Sequence, residues 1–555
     1  MTTGLAHKRY QQIGDVLARH GFGYLASMTG LTRWLPFHHG MLGHERRDDR
    51  YTTPEHLRLA LEELGPTFIK LGQLLSTRSD LLPADYLVAL SKLQDGARPV
   101  AAVVIRELIE QELGAPVEEL FATFESEPLA SASIGQAHAA TLQDGTSVVV
   151  KVRRPDVIPT IETDLEILRN VAHQASRHWR AAAVYNLTGL VSEFARTLRG
   201  ELDYLQEGRN AERFADNFRS DPDVRIPQIF WATSTSRVLT MERIVGIKVD
   251  DLDALDRAGI DRAALAARAA RVALAMVFDH GFFHADPHPG NLFIEPTGRI
   301  GLIDFGMVGE VDDTLREQLS TLLTALTGHR ADPLAEALLE LSVVKRTVDR
   351  DQMDADLTEF MALYQGRRIG EVAIAPLITQ LLALLRNYHL QLPRNVPLLL
   401  KFILMVEGMG VHLYPQFNLG EILKPYAQRM AMARFSPKAL ARLLAQSGQD
   451  AAELALDLPT SLRRILSRID ADGVEVHVRA SDLELALGRA ERIGNRLVVG
   501  IIAAALIRGI GELTEGDSRR WSSWEVPLMR GGLGVTTALA GYLVWTARRS
   551  RSPQP

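Results

Sequence analysis

The chain has no cysteine in its 555 residues. Disulfide scaffolding, thiolate catalysis and zinc–thiolate centres are therefore excluded, and thiol usage carries no information about redox compartment. Internal repeats and low-complexity blocks are absent as well. There is no excess of positive charge: the formal charge is −6 and the isoelectric point is near 6.3, which argues against a general nucleic-acid binder. The first residues, MTTGLAHKRYQQIGDVLARHGFGYLA, lack the apolar run of a signal peptide. They read as an amphipathic helix that packs on the body of the protein or lies on a membrane surface. What is present is a globular composition, 46% hydrophobic and 23% charged, in a chain long enough for roughly two to four domains.

Two uncharged stretches stand near the C-terminus. Leu497 to Ile507 (LVVGIIAAALI) is wholly apolar, and Gly531 to Ala547 (GGLGVTTALAGYLVWTA) carries no charge. Each is at the short end for a spanning helix, but Arg508 and Arg530 could snorkel and lengthen them. Tyr542 and Trp545 suit an interface. Arg489, Arg492 and Arg496 precede the pair, and Arg548, Arg549 and Arg551 follow it. The connection holds only Arg519 and Arg520 beside Glu515, Asp517 and Glu525. That bias places both ends in the cytoplasm around a membrane hairpin. Two buried helices of a soluble domain are the alternative.

Upstream, helices are expected to about Leu113. Thr53 is the expected N-cap of one, with Pro54 at its first helical position. A strand-rich patch follows, in which SIGQAHAATL and SVVVKVRR flank Asp144-Gly145, a hairpin signal. Asp164 to His178 and Leu190 to Phe218 read as long helices. VRIPQIFWAT and RVLTMERI read as two more strands, and Ile260 to His280 as an alanine-rich helix. After Gly309 nearly everything is helix-periodic.

The segment FFHADPHPGNLFIEPTGRIGLIDFG, Phe282 to Gly306, carries the sharpest chemistry. Asp286, Asn291 and Asp304 are spaced as in protein-kinase-type phosphoryl transfer. One carboxylate serves the nucleophile as base or orienter, and an amide and a second carboxylate hold Mg²⁺ on the phosphates. A polar loop before a buried strand is the plain alternative. His284 and His288 lie beside Asp286, but without a third histidine they make a weak metal site. Lys151, on a strand of alternating β-branched residues, could pair with α- and β-phosphate oxygens if a helical carboxylate held it. ELDYLQEGRN offers Glu201, Asp203 and Glu207 for that role, although three acids in seven residues could also be a solvated face. The preceding loop PLASASIGQAH fills the positions of a phosphate-binding glycine loop with small residues: Ala130, Ser131, Ala132, Ser133, Ile134 and Gly135. By itself that signal is weak. Met241 and Glu242 begin MERI, the hinge that would meet adenine in a kinase-like fold, or simply a strand end.

Together these segments resemble the UbiB/AarF family of atypical protein-kinase-like proteins, which includes the mitochondrial coenzyme Q kinases. LGPTFIKLGQLLSTRSDLLP resembles the family's Lys-x-Gly-Gln extension, here Lys70, Gly72 and Gln73. Glu201 and Asp203 match its Glu-x-Asp motif, and Glu207 matches the glutamate that pairs with the strand lysine. The resemblance runs from about residue 50 to 547. It implies an α+β, two-lobed protein-kinase-like fold with an N-terminal helical extension and a C-terminal hydrophobic hairpin. The expected divisions are amphipathic helices at 1–55, the extension at 56–115, an N-lobe at 116–245, a helical C-lobe at 246–445, a linker at 446–495 and the hairpin at 496–547. ATP and Mg²⁺ are the implied cofactors. A membrane lipid or quinone precursor and lipid-biosynthetic enzymes are the implied partners, and self-association stays open. The extension is expected to cover the groove for a peptide substrate and to bring Lys70 to Glu201 and Asp203. That favours slow ATP hydrolysis or a small or lipid acceptor over protein phosphorylation. A true protein kinase and a non-catalytic ATP-binding scaffold remain the alternatives.

Overall fold

Alternating valines decide the architecture of the smaller lobe. The computed structural model describes residues 2–22, 52–78, 80–93, 98–155, 157–178, 186–327, 330–343, 348–364 and 373–433. The two C-terminal apolar runs and the linker before them lie outside these residues. Helices α1 (Thr2–Arg19), α2 (Thr53–Leu64), α3 (Pro66–Thr77), α4 (Ala84–Leu90), α5 (Ala102–Leu113) and α6 (Val117–Leu120) come first. Strands β1 (Phe121–Ser131), β2 (Gly135–Leu142) and β3 (Ser147–Arg153) follow, then α7 (Val157–His178), α8 (Leu187–Glu201) and α9 (Tyr204–Asn217). Strands β4 (Val224–Arg225) and β5 (Val238–Glu242) come next, and β5 completes the strand lobe's antiparallel sheet in the order β1-β2-β3-β5. On β3, Val148, Val150 and Val152 are fully buried against Ile105 and Ile109 of α5. Period-2 alternation therefore turns Val149 and Lys151 to the opposite face. The β2–β3 hairpin forms at the expected turn: Gly145 has φ +88° and the Asp144 carboxylate accepts from Thr146 N at 2.9 Å.

Below this lobe lie β6 (Ile247–Lys248), α10 (Leu252–Arg257), α11 (Arg262–Phe278), β7 (Phe282–His284), β8 (Leu292–Ile294), β9 (Ile300–Leu302) and β10 (Val308–Glu310). The short strands pair as β4-β9-β8-β6 and as β10-β7, and so lay the Asp286 and Asp304 loops side by side. Helices α12 (Asp313–Thr327), α13 (Ala331–Leu341), α14 (Arg350–Ala362), α15 (Ile374–Asn387), α16 (Asn395–Leu413) and α17 (Leu419–Ala433) complete the helical lobe around buried α11. Helix α16 is long and apolar enough to cross a membrane, but half of it is buried inside the fold. Its Phe402 ring meets Phe283 at 5.3 Å.

The N-terminal helices are fastened by buried charge. Arg9 of α1 grips Asp164 of α7 through two bonds of 2.7 and 2.9 Å, and Thr67 Oγ1 donates to the same carboxylate at 2.6 Å. Arg78 holds Asp80 with bonds of 2.9 and 2.7 Å and reaches Glu193 of α8 at 3.3 Å. Asp80 also accepts from Leu392 N at 3.2 Å, which ties the extension to the helical lobe.

Three expectations shift. The helix expected from Leu190 to Phe218 breaks at Leu202–Asp203, because Asp203 caps α9 by accepting from Leu205 N at 3.1 Å. Arg153 of β3 pins the break by donating to Leu202 O. The N-cap of α2 is Thr52 rather than Thr53, since that register lets Glu55 bond back to Thr52 N at 3.0 Å. VRIPQIFWAT forms the two residues of β4, a single bridge from Ile229 to Met241 of β5, and a 3₁₀ turn at Trp231–Thr233, rather than a continuous strand. Pro227 removes one backbone donor there.

Candidate active site

The site is built first around the outward face of β3. Lys151 Nζ donates to Glu207 Oε1 at 2.5 Å and to Ile303 O at 3.2 Å, and stands 3.9 Å from Asp304 Oδ1. Burial would lower the Lys151 pKa, but the Glu207 and Asp304 carboxylates outweigh it and hold the ammonium above its ordinary value. Glu207 is pulled two ways. Burial and Asp304 push its carboxyl up, Lys151 pulls it down, and the net direction is upward. The Asp304 side chain is only partly buried; the desolvation it does suffer would raise its carboxyl, but Lys151 and the Gly306 N–H bring it down to about 2. Glu207 also accepts from Phe305 N at 3.4 Å, and Asn210 Nδ2 donates to Phe305 O at 2.9 Å. Phe305 is fully buried and its ring lies 5.6 Å from Phe214 of α9. Helix α9 thus fixes both the strand lysine and the Asp304-Phe305-Gly306 turn.

The loop after β7 is organised by His284. Its Nδ1 accepts from Asp286 N at 3.1 Å, so Nε2 carries the proton and donates to Asp304 O at 2.5 Å. Burial lowers the His284 pKa and keeps the ring neutral. One imidazole therefore staples the two loops, and both its nitrogens are spent on backbone. His288 Nδ1 accepts from Gly290 N at 3.1 Å and caps a 3₁₀ turn. Asn291 Nδ2 donates to Asp286 O at 3.4 Å, and Ile303 N donates to Asn291 O at 3.2 Å. The expected trio of Asp286, Asn291 and Asp304 is brought together.

A residue that sequence reasoning missed completes this loop. Lys401 of α16 donates to Asp286 Oδ1 at 3.0 Å. The available signal was a single cation in the apolar run PLLLKFILMV.

The small-residue loop is less open than expected. Ser133, Ile134 and Gly135 are buried, Ala130 is exposed, and Ser131 and Ala132 lie between. Ile134 packs with Leu74 of α3 and Phe194 of α8. Arg154 clamps the turn through Ala132 O at 2.9 Å and Ser131 Oγ at 2.8 Å. Gly135 has a packing reason of its own: a methyl there would strike the Tyr204 hydroxyl and approach Val152 O to 2.9 Å. At the hinge, Met241 is buried. The N–H groups of Glu242 and Arg243 go to Gln228 O and Ser147 O at 2.8 and 3.0 Å, so an adenine there would read carbonyls or groups beyond Arg243.

The extension meets the cleft from the other side. Lys70 Nζ lies 2.9 Å from Glu201 Oε2, close enough to Asp304 to help lower that carboxyl. Asp203 caps α9 and faces Arg209 at 3.7 Å, so the structure joins Lys70 to one acid of the Glu-x-Asp pair and gives the other different work. Gln73 Nε2 donates to Leu93 O at 3.2 Å. A methyl at Gly72 would collide with Leu93 and reach within 2.8 Å of Leu61, so this glycine lets α3 lie against α2 and α4.

The donors fit Mg²⁺. Asp304 and Asn291 offer hard oxygens, Asn291 directs its amide N–H to Asp286, and Asp304 is nearly half exposed at 44%. Among the described residues no three His, Cys, Asp or Glu side chains cluster as a metal cage.

Residues 92–338 match the ABC1 atypical kinase-like domain, and residues 357–418 match the UbiB helical domain. A "Probable protein kinase UbiB" from Xanthomonas oryzae pv. oryzae is 33% identical, over 96% of this chain and 99% of that protein. The chain belongs to the UbiB family of atypical kinase-like proteins. A UbiB protein of Xylella fastidiosa is also 33% identical, over 96% of this chain and 98% of its own length. A Mycobacterium tuberculosis protein solved with erythromycin is 25% identical, with a TM-score of 0.42, covering 64% of this chain and 90% of that one. In UbiB terms, Asp286 lies in the kinase-like domain and Lys401 in the helical domain, and their ion pair joins the two.

Proposed function

We propose that this chain is an atypical kinase or ATPase that binds Mg–ATP and supports isoprenoid-lipid or quinone metabolism at a bacterial membrane, with its kinase-like part in the cytoplasm. The observation that carries the ATP reading is the Lys151–Glu207 ion pair at 2.5 Å, with Asp304 3.9 Å from the same ammonium. Lys151 would hold the α- and β-phosphates. Asp304 and Asn291 would hold Mg²⁺, which when bound neutralises phosphate charge. Asp286 would orient the attacking hydroxyl or water. In hydrolysis the bond from the γ-phosphorus to the bridging oxygen breaks and its electron pair leaves with ADP. A bond forms to the water oxygen, and the water's proton passes to solvent. Positioning and charge supply most of such catalysis. The lipid side of the reading rests on the family resemblance and on the apolar runs at 497–507 and 531–547.

The test is ATP turnover by the full chain, with and without lipid vesicles, against Asp304→Asn. Turnover in the wild type and its loss by on the order of a hundredfold or more in the variant are expected. Equal turnover in both defeats the assignment. ATP-dependent thermal stabilisation without turnover would point to a scaffold. Label transfer to a protein in trans, lost in Lys151→Ala, would point to a protein kinase.

A further inference from the structure

The loop that carries Asp286 has no cation of its own. Asp286 to Asn291 reads Asp-Pro-His-Pro-Gly-Asn, without lysine or arginine. His284 spends both ring nitrogens on backbone groups, and His288 caps its turn. Lys151 and Lys70 both face the Asp304 side: Lys151 directly, and Lys70 from its pair with Glu201. A phosphoryl group in transfer spreads negative charge over its equatorial oxygens, and Asp286 adds another negative charge beside it. The attack side therefore needs a positive group, and α16 delivers one.

Lys401 leaves α16 within an apolar stretch, and its side chain is three-quarters buried, at 24% exposure, with Nζ 3.0 Å from Asp286 Oδ1. A lysine in such a place is costly unless paired. The helix that presents it is firmly seated. The next residue, Phe402, is buried against Phe283, one residue before His284, and Glu407 accepts from Ile374 N at 3.1 Å. The ammonium is thus aimed by packing on β7, the strand that leads into the Asp286 loop.

We infer that Lys401 is the positioning residue of the attack side. It fixes the Asp286 carboxylate and sets a positive charge next to the point where the γ-phosphoryl is transferred, so the helical domain completes a site that the kinase-like domain leaves unfinished. This rests on the Mg–ATP reading above. The bond changes are those given there. Lys401 exchanges no proton in them and acts through Asp286 and through its charge.

The experiment uses the full chain in detergent with Mg–ATP, comparing wild type, Lys401→Met, Lys401→Arg and Asp304→Asn. Lys401→Met is expected to lower kcat on the order of 10- to 100-fold with the KM for ATP within about twofold, because the α- and β-phosphates are gripped from the Lys151 side. ATP-induced thermal stabilisation persists in that variant. Lys401→Arg restores a large part of kcat, which a purely packing role would not produce. Wild-type kcat in Lys401→Met, a loss confined to KM, or equal damage from Arg and Met overturns the inference while Asp304→Asn remains inactive. Should Lys401→Met fail to fold, Lys401→Gln supplies the same readout with a polar end. If wild type turns over ATP no faster than Asp304→Asn, the Mg–ATP reading itself fails and this inference falls with it.

Discussion

Two lysine–glutamate pairs flank the cleft, and their acids stand only six residues apart in the chain. Lys151–Glu207 joins β3 to α9 at 2.5 Å, whereas Lys70–Glu201 joins the extension to the end of α8 at 2.9 Å. Both pairs are largely buried, but their surroundings differ. Lys151 and Glu207 also hold Ile303 O and Phe305 N, so they are part of the Asp304 turn. Lys70 and Glu201 lie on elements that carry none of Asp286, Asn291 and Asp304. The break at Leu202–Asp203 creates this difference, because it places the two glutamates on separate helices with separate partners. The same chemistry thus serves two tasks: the first pair ties β3 and α9 to the Asp304 turn, where the proposed nucleotide would lie, and the second ties the extension to the end of α8 and adds positive charge near Asp304.

The strongest way to break that comparison is Lys151→Met. It leaves Glu207 buried without its cation, and removing one partner of a buried pair costs about 3–5 kcal/mol. ATP turnover should fall on the order of 100-fold or more, with a matching loss in urea-denaturation stability. Unchanged turnover would show that β3 does not serve the nucleotide.

Lys70→Met should have a smaller and qualitatively different effect. Lys70 helps hold the Asp304 carboxyl low, and if Asp304 binds Mg²⁺ as proposed, an ammonium near it repels the metal. Its removal should lower the Mg²⁺ concentration needed for half-maximal turnover by roughly two- to fivefold, since a solvent-screened charge pair is worth on the order of 1 kcal/mol or less. A rise in the Mg²⁺ requirement, read from turnover against titrated Mg²⁺, would assign Lys70 to nucleotide binding instead.

How far such contrasts were legible in the chain depends on whether the signal was local. Lys151 was readable because strand alternation fixes its face, and Asp286, Asn291 and Asp304 because a short loop and one hairpin set their spacing. Lys401 was not, since nothing in an apolar helical run names a partner 115 residues upstream. The helix break was hidden by acids that suit a continuous helix as well as a cap; the Asp203 cap on Leu205 N and Arg153 donating to Leu202 O decide between them. Gly135 has a second reason to be glycine that the chain did not show. It stands where a phosphate-binding glycine would, yet its missing side chain makes room for Tyr204. Gly72 likewise belongs to a motif and answers to the packing of α3 on α2 and α4.

The smallest expected effect separates these ion pairs from ordinary histidine burial. His138 lies inside the strand lobe, stacked on Phe124 at 5.0 Å. The Gln136 amide, 2.8 Å away, donates to His138 Nε2, so Nδ1–H donates to Glu125 O at 2.8 Å. Protonating Nε2 would set two donors face to face, and burial lowers the His138 pKa from its usual value. The unfolded chain then binds a proton that the native state resists. Stability is therefore complete above about pH 6.5, the ordinary histidine value, and declines as pH falls below it. His284 carries the same sign in the cleft. Melting temperature should drop between roughly pH 6.5 and 5, and His138→Gln should flatten part of that drop, leaving the share of His284. A melting temperature that rises on acidification over this interval would mean that His138 gains a proton on folding, and the tautomer assigned here would be wrong.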